Sequence, residues 1–128
     1  MEVQLSKETI DGIISDLTKG TNKDCVRVGF LTGREEQGLV VVDGVYVPSQ
    51  MSTPVESEIP EWSKYTAFQV ISMMNKTVVG VVQYNIHFKS FESDVTTQNA
   101  ESLQRTLDHP LALVVFNSQK EVYSRVIE

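Results

Sequence analysis

The side chains of this chain that could do chemistry gather in one stretch, Gln83-Tyr84-Asn85-Ile86-His87, followed a few residues later by Asp94. They stand where an apolar run, Val78-Val79-Gly80-Val81-Val82, gives way to polar residues at alternate positions. Residues two apart in a strand share a face, so Gln83 and Asn85 point the same way. His87 and Asp94 are of the types that hold zinc, which prefers imidazole, thiolate or carboxylate. His109 is a third candidate, but it precedes Pro110 at the far end of the helix that Asp94 would open. No ligand-grade spacing links the three. The plainer readings are that Asp94 caps a helix, and that Gln83 and Asn85 bond to backbone or water, as buried amides must. His87 then lies at the surface or meets a partner. Tyr84 and Phe88 are either core or exposed anchors for a partner, since aromatic residues are enriched at interfaces.

Other chemistries find no support. Gly29-x-x-x-Gly33 lacks the Lys that follows in a phosphate-binding loop, and no Ser-His-Asp spacing occurs. The single cysteine, Cys25, gives no internal disulfide and no cysteine-based metal site, and reads as a small buried hydrophobe in a reducing compartment. The net charge of −6 argues against nucleic acid or an anionic membrane surface as partner, because both select basic patches. No apolar run approaches the roughly 20 residues of a membrane span. Met1-Glu2-Val3-Gln4 lacks the basic and apolar regions of a signal peptide.

The 128 residues are of single-domain size, and 41% hydrophobic against 22% charged is ordinary for a globular chain. About two thirds of the unfolded surface should be buried, enough for one core. Leu5 to Gly20 reads as a helix: Ser6 caps it, and Ile10, Ile13, Ile14 and Leu17 form one apolar face. Cys25–Thr32 and Leu39–Val47 read as an antiparallel pair around a polar turn; Asp43-Gly44 reads as either a tight hairpin turn or a bulge in one long strand, and the three residues on either side, very short for hairpin arms, favour the bulge. Pro48–Glu61 reads as a long loop, either mobile or a contact loop. Pro60 opens a second helix in which Ala67, Val70, Ile71 and Met74 form the core face, widened by Trp62, Tyr65 and Phe68. Asn75-Lys76 ends it, and Thr77–Val82 is a strand covered on both faces. Ser93 or Asp94 caps a third helix with Ala100, Leu103 and Leu107 inward; Leu111–Phe116 and Glu121–Ile127 are the last strands. The order α, β, β, α, β, α, β, β predicts an α/β (α+β) domain with a mixed sheet flanked by helices.

Four pieces in register resemble the skeleton of the MPN (JAB/MOV34) domain family: Gly29-Phe30-Leu31-Thr32-Gly33, Val45-Tyr46-Val47-Pro48-Ser49-Gln50, Val78-Val79-Gly80, and Asp94-Val95-Thr96-Thr97-Gln98. The resemblance runs from the first helix to the Leu111–Phe116 strand. It implies a curved sheet between helices, similar to cytidine deaminase. The active branch of that family comprises zinc isopeptidases that remove ubiquitin or related modifiers. Two His and one Asp hold the metal, whose water has its pKa lowered to about 7, and a Glu acts as general base.

Carried over residue by residue, the pattern is erased. Val26 stands at the Glu position, Gln83 at the first His and Asn85 at the second; Asp94 alone matches, and neither Ser90 nor Ser93 is in register for the family's Ser. Neutral amides are poor zinc donors. Val26 cannot accept a proton, a role worth about 10²–10⁴ in rate. The resemblance therefore implies the inactive branch, with no cofactor: scaffolds that dimerise with another MPN subunit in assemblies such as the proteasome lid, the COP9 signalosome or translation initiation factor 3. It also implies a cytoplasmic or nuclear protein. The alternative is a divergent zinc isopeptidase using His87 and Asp94; a third reading is ubiquitin binding without cleavage. Full family members commonly continue with further strand and helices, so the chain is expected to be either a minimal member or part of a longer one.

Overall fold

In the computed structural model, which describes residues 1–20, 24–54, 57–85 and 94–128, the elements run β1 (Glu2–Gln4), α1 (Lys7–Thr18), β2 (Arg27–Glu36), β3 (Leu39–Tyr46), β4 (Met51–Ser52), β5 (Ser57–Glu58), α2 (Glu61–Met73), β6 (Thr77–Tyr84), α3 (Asp94–Leu107), β7 (Leu111–Phe116) and β8 (Val122–Ile127). Six strands form one mixed sheet in the order β1-β3-β2-β6-β7-β8. The β1–β3 and β6–β7 pairs are parallel and the others antiparallel. The edge strands β1 and β8 approach each other, so the sheet is curved and nearly closed.

That curvature has a local cause. Opposite the Leu31–Gly33 stretch of β2, both neighbouring strands carry one extra residue. In β3 the register passes from Gly44 to Val42, leaving Asp43 unpaired in the ladder. In β6 it passes from Gly80 to Val78, leaving Val79 over. Bulges bend a strand and increase its twist. Asp43 is therefore a bulge within one continuous strand, as its flanking residues predict. The hydroxyl of Thr32, only 2% exposed, donates to Asp43 Oδ1 at 2.8 Å and pins the bend.

α1 lies within the concave face. Ser6 Oγ accepts from the Thr9 N–H at 3.1 Å, the cap expected there, and Gly20 takes a positive φ of 69° just past the end. Ile13 and Leu17 are buried among Leu31, Val82, Val114 and Phe116, with Ile10 and Ile14 packed against them. On the other face α2 and α3 cover Phe30, Val78 and Val81. β7 is buried along its whole length, as a strand with helices on both faces must be.

Several boundaries differ from expectation. β1 was not legible, and it pairs with β3 through Val3↔Val40. β2 runs on to Glu36, so the turn shrinks to Gln37-Gly38. The stretch after Pro48 holds a short hairpin, β4–β5, rather than plain loop. Trp62 and Tyr65 do not widen the core face of α2: they are 63% and 73% exposed. The buried positions are Ser63, Ala67 and Ile71, a stripe four residues apart, and at 100° per residue Trp62 and Tyr65 fall on its far side. Among the described residues no helix is long and apolar enough to cross a membrane.

Candidate functional site

Three of the expected site positions flank one strand pair: Val26 precedes β2, Gln83 lies near the end of β6 and Asn85 follows it. Val28 pairs with Gln83 and Arg27 with Tyr84 in the antiparallel β2–β6 ladder. The ladder ends there, one residue short of Val26 and Asn85. Directly opposed residues of an antiparallel pair share a face, and Val28 packs in the cluster under α2 and α3. Gln83 therefore faces the side covered by α2 and α3, and Val26 and Asn85 are the next residues of the two strands, at the end of the sheet from which the chain leaves toward α3.

The backbone there is well anchored. The Asn85 N–H donates to the Phe116 carbonyl at 2.9 Å, extending β6 along β7. The Val26 N–H donates to the Thr53 carbonyl at 2.9 Å, which brings the β4–β5 hairpin against the start of β2. Arg27 ties two further elements to this corner. Its Nε donates to the Leu17 carbonyl at 3.0 Å, at the negative end of α1, and its Nη1 to Ser52 Oγ at 3.3 Å. Burial holds the Arg27 pKa below its usual value, partly opposed by Cys25. Cys25 itself is half-buried.

The chemistry of these side chains does not fit zinc. Val26 is 1% exposed and offers only a hydrocarbon. Gln83 and Asn85, both half-buried, offer neutral amides. Asp94 opens α3; the cap of that helix lies outside the described residues. His109 stands beyond the other end of α3, a helix of 14 residues and hence about 20 Å away, with its Nδ1 at 3.1 Å from the Pro110 carbonyl oxygen. Residues 94 and 109 therefore stand at opposite ends of α3. His87 and Phe88 lie outside the described residues. Among the described residues no group of three or more His, Cys, Asp or Glu side chains could hold a metal ion.

Of the two readings open for Tyr84, burial selects the core. Tyr84 is 5% exposed and packs with Val82 and Phe116 on the α1 side, opposite to Gln83, because neighbouring strand residues face opposite ways. Burial first, and then the charge of Asp24, push its hydroxyl pKa above the usual tyrosine value.

The glycines of the family-like skeleton are demanded by packing. A Cβ on Gly33 would overlap the Val41 carbonyl, and one on Gly80 the Ala112 carbonyl. On Gly29 it would meet Val45 Cγ2 at 2.7 Å. At Gly33 and Gly80 the obstacle is backbone that cannot turn aside, whereas at Gly29 it is a valine methyl.

One surface was missed in the sequence. Trp62, Tyr65 and Met73 of α2 project outward at 63%, 73% and 82% exposure. The signal was present: from Tyr65 to Asn75 the chain has no charged residue, although only one face of this helix is buried.

No family model and no curated protein matches this chain. Among solved structures it is similar to protein DSY2949 from Desulfitobacterium hafniense, determined in solution, with a TM-score of 0.65 over 98% of this chain and 82% of that one at 14% identity. A likeness at that identity is one of fold alone.

Proposed function

We propose that this chain is a non-catalytic MPN-type domain that works as a binding scaffold, pairing with another MPN-type subunit in an assembly of the proteasome-lid, COP9-signalosome or initiation-factor kind. The observation that carries this reading is the β2–β6 register. It pairs Val28 with Gln83 and Arg27 with Tyr84, and the resemblance puts a base at neighbouring Val26 and two imidazoles at Gln83 and Asn85. None of these three side chains can take a proton from water or hold zinc well. Function then falls to surfaces, and α2 exposes an apolar one.

The test is metal analysis of the purified protein alongside an assay for cleavage of isopeptide-linked ubiquitin. The expected result is no stoichiometric zinc and no cleavage. Stoichiometric zinc that disappears in Asp94→Asn or His87→Ala would overturn the reading in favour of a divergent isopeptidase. An NMR titration with ubiquitin separately tests binding without cleavage.

A further inference from the structure

We infer that the outer edge of β8 is a self-pairing edge, on which β8 of a second copy of this chain docks antiparallel about a twofold axis at Tyr123. The inference goes beyond the scaffold reading and stands without it.

The hydrogen-bond pattern decides which residues face outward. The N–H and C=O of a strand residue point toward one neighbour, and the side alternates from residue to residue. The Asn85 N–H donates to the Phe116 carbonyl at 2.9 Å, so Phe116, Val114 and Ala112 turn their backbone groups toward β6. Val115, Leu113 and Leu111 then turn theirs toward β8, where they meet Tyr123, Arg125 and Ile127. The turn before β8 agrees: the Asn117 N–H donates to the Glu121 carbonyl at 3.3 Å, and the Glu121 N–H to Asn117 Oδ1 at 3.0 Å. Val122, Ser124 and Val126 therefore aim their backbone groups away from β7. Among the described residues no strand pairs with that edge, and β1 comes near β8 without joining its ladder.

Little blunts this edge. Sheet edges are commonly protected by proline, by a bulge or by charge. β8 pairs with β7 along its whole length without a register shift, and it contains no proline. Val122, Tyr123, Val126 and Ile127 are good strand formers.

Charge selects a second copy as the occupant. Arg125 is the one charged residue within β8, and Glu121 lies on the same face by the strand period. The Tyr123 hydroxyl, donating to Glu121 Oε2 at 3.4 Å, confirms that face. Glu121 and Arg125 are both exposed. In an antiparallel pair centred on Tyr123, each Arg125 lies directly opposite Glu121 of the partner subunit. The backbone permits this register. Val122 faces Ser124 of the partner subunit with both outward groups, so the pair exchanges N–H and C=O bonds on each side of the axis. Glu121, Tyr123 and Arg125 fall in the intervening pairs, where side chains come closest. Lys120 and Arg125 balance Glu121 and Glu128, so this edge is neutral in a chain of net charge −6. Two copies meet there without the repulsion of the rest of the surface. A twofold pair uses the same edge of both copies, so assembly closes at the dimer. The contact is small, and the dimer is weak and reversible.

Sedimentation velocity of the full chain, across about a hundredfold range of concentration reaching the millimolar, tests this. The wild type is expected to pass from monomer to dimer. Ser124→Pro removes an outward N–H that β7 does not use, a change that edge strands tolerate, and should weaken association at least about tenfold. Arg125→Glu sets like charges opposite each other and should also weaken it. The double variant E121R/R125E restores opposite charges in the reverse order and should regain the dimer. In the wild type, amide hydrogen exchange at Val122 and Ser124 should slow as the concentration rises. A wild type that stays monomeric overturns the inference and leaves the edge to a strand of another protein. A Ser124→Pro protein that is folded by circular dichroism and dimerises undiminished, or a double variant no tighter than Arg125→Glu, would also overturn it. If Ser124→Pro does not fold, the charge variants and the exchange rates decide.

Discussion

The side-chain amide of Gln50 bonds both backbone groups of Val28: the Val28 N–H donates to Gln50 Oε1 at 2.8 Å, and Gln50 Nε2 donates to the Val28 carbonyl at 2.7 Å. β3 pairs with β2 only as far as Tyr46 opposite Phe30, so beyond that point β2 has lost its neighbour on this side. One glutamine takes the place of the missing strand. Its own remaining capacity is used by the Pro48 carbonyl at 2.9 Å and the Ser57 hydroxyl at 2.6 Å. The corner that holds Val26, Gln83 and Asn85 therefore depends on a residue outside the ladder.

Gln50→Leu should destabilise the fold by about 1–3 kcal/mol, because it leaves two part-buried backbone groups without partners. Gln50→Glu should not rescue it: a carboxylate accepts from the Val28 N–H but cannot donate to the two carbonyls. Urea denaturation of both variants checks this. A Gln50→Glu protein as stable as wild type would show that the Val28 carbonyl bond matters little.

Gly33→Ala and Gly80→Ala should each cost about 2–4 kcal/mol, since the added methyl meets backbone oxygen rather than a side chain that can turn aside. Gly12→Ala is the control. Nothing lies within 4 Å of the position a Cβ would take on Gly12, which is inside α1, so this change should stabilise by about 0.5–1 kcal/mol. Thermal melting of the three proteins, read side by side, tests the contrast.

Gln37 and Gly38 form the two-residue turn between β2 and β3, with φ values of 51° and 81°. Positive φ at both positions is the habit of Asn-Gly turns, and Gln is a poor resident of the first. Gln37→Asn should raise stability by roughly 0.5–1 kcal/mol. An unchanged or lowered denaturation midpoint would contradict the strained-turn account.

Tyr84 predicts an alkaline weakness. Its pKa is raised on folding, chiefly by burial and then by Asp24, so the native state binds the phenolic proton more tightly than the unfolded chain does. The stability this gives is fully present below the unfolded value of about 10 and is lost as pH rises through the higher folded value. Denaturation midpoints measured from neutral to strongly alkaline pH should fall in the wild type. The fall should be shallower in Tyr84→Phe, and equal slopes in the two proteins would remove Tyr84 as its source.

How much of this could be read in advance depended on the range of the interaction. The Ser6 cap and the Ile10, Ile13, Ile14, Leu17 face are local, and both stand where expected. Leu111–Phe116 matches to the residue, because six apolar residues between Pro110 and Asn117 leave one choice. The β4–β5 hairpin has two residues per strand, too few for any period to register. Trp62 and Tyr65 misled because an aromatic residue beside an apolar helical stripe resembles core.

By itself the sequence determined the class of the fold and the absence of zinc-type donors at positions 26, 83 and 85, because these follow from residue type and near-neighbour spacing. Only the tertiary structure decided that Val28 pairs with Gln83, that Tyr84 is core, that Gln50 completes β2, and that α2 turns Trp62, Tyr65 and Met73 outward. Each of these relates residues that are far apart in the chain, or chooses between two faces of one element. Periodicity gives an element its faces, but which of them is covered depends on what packs there.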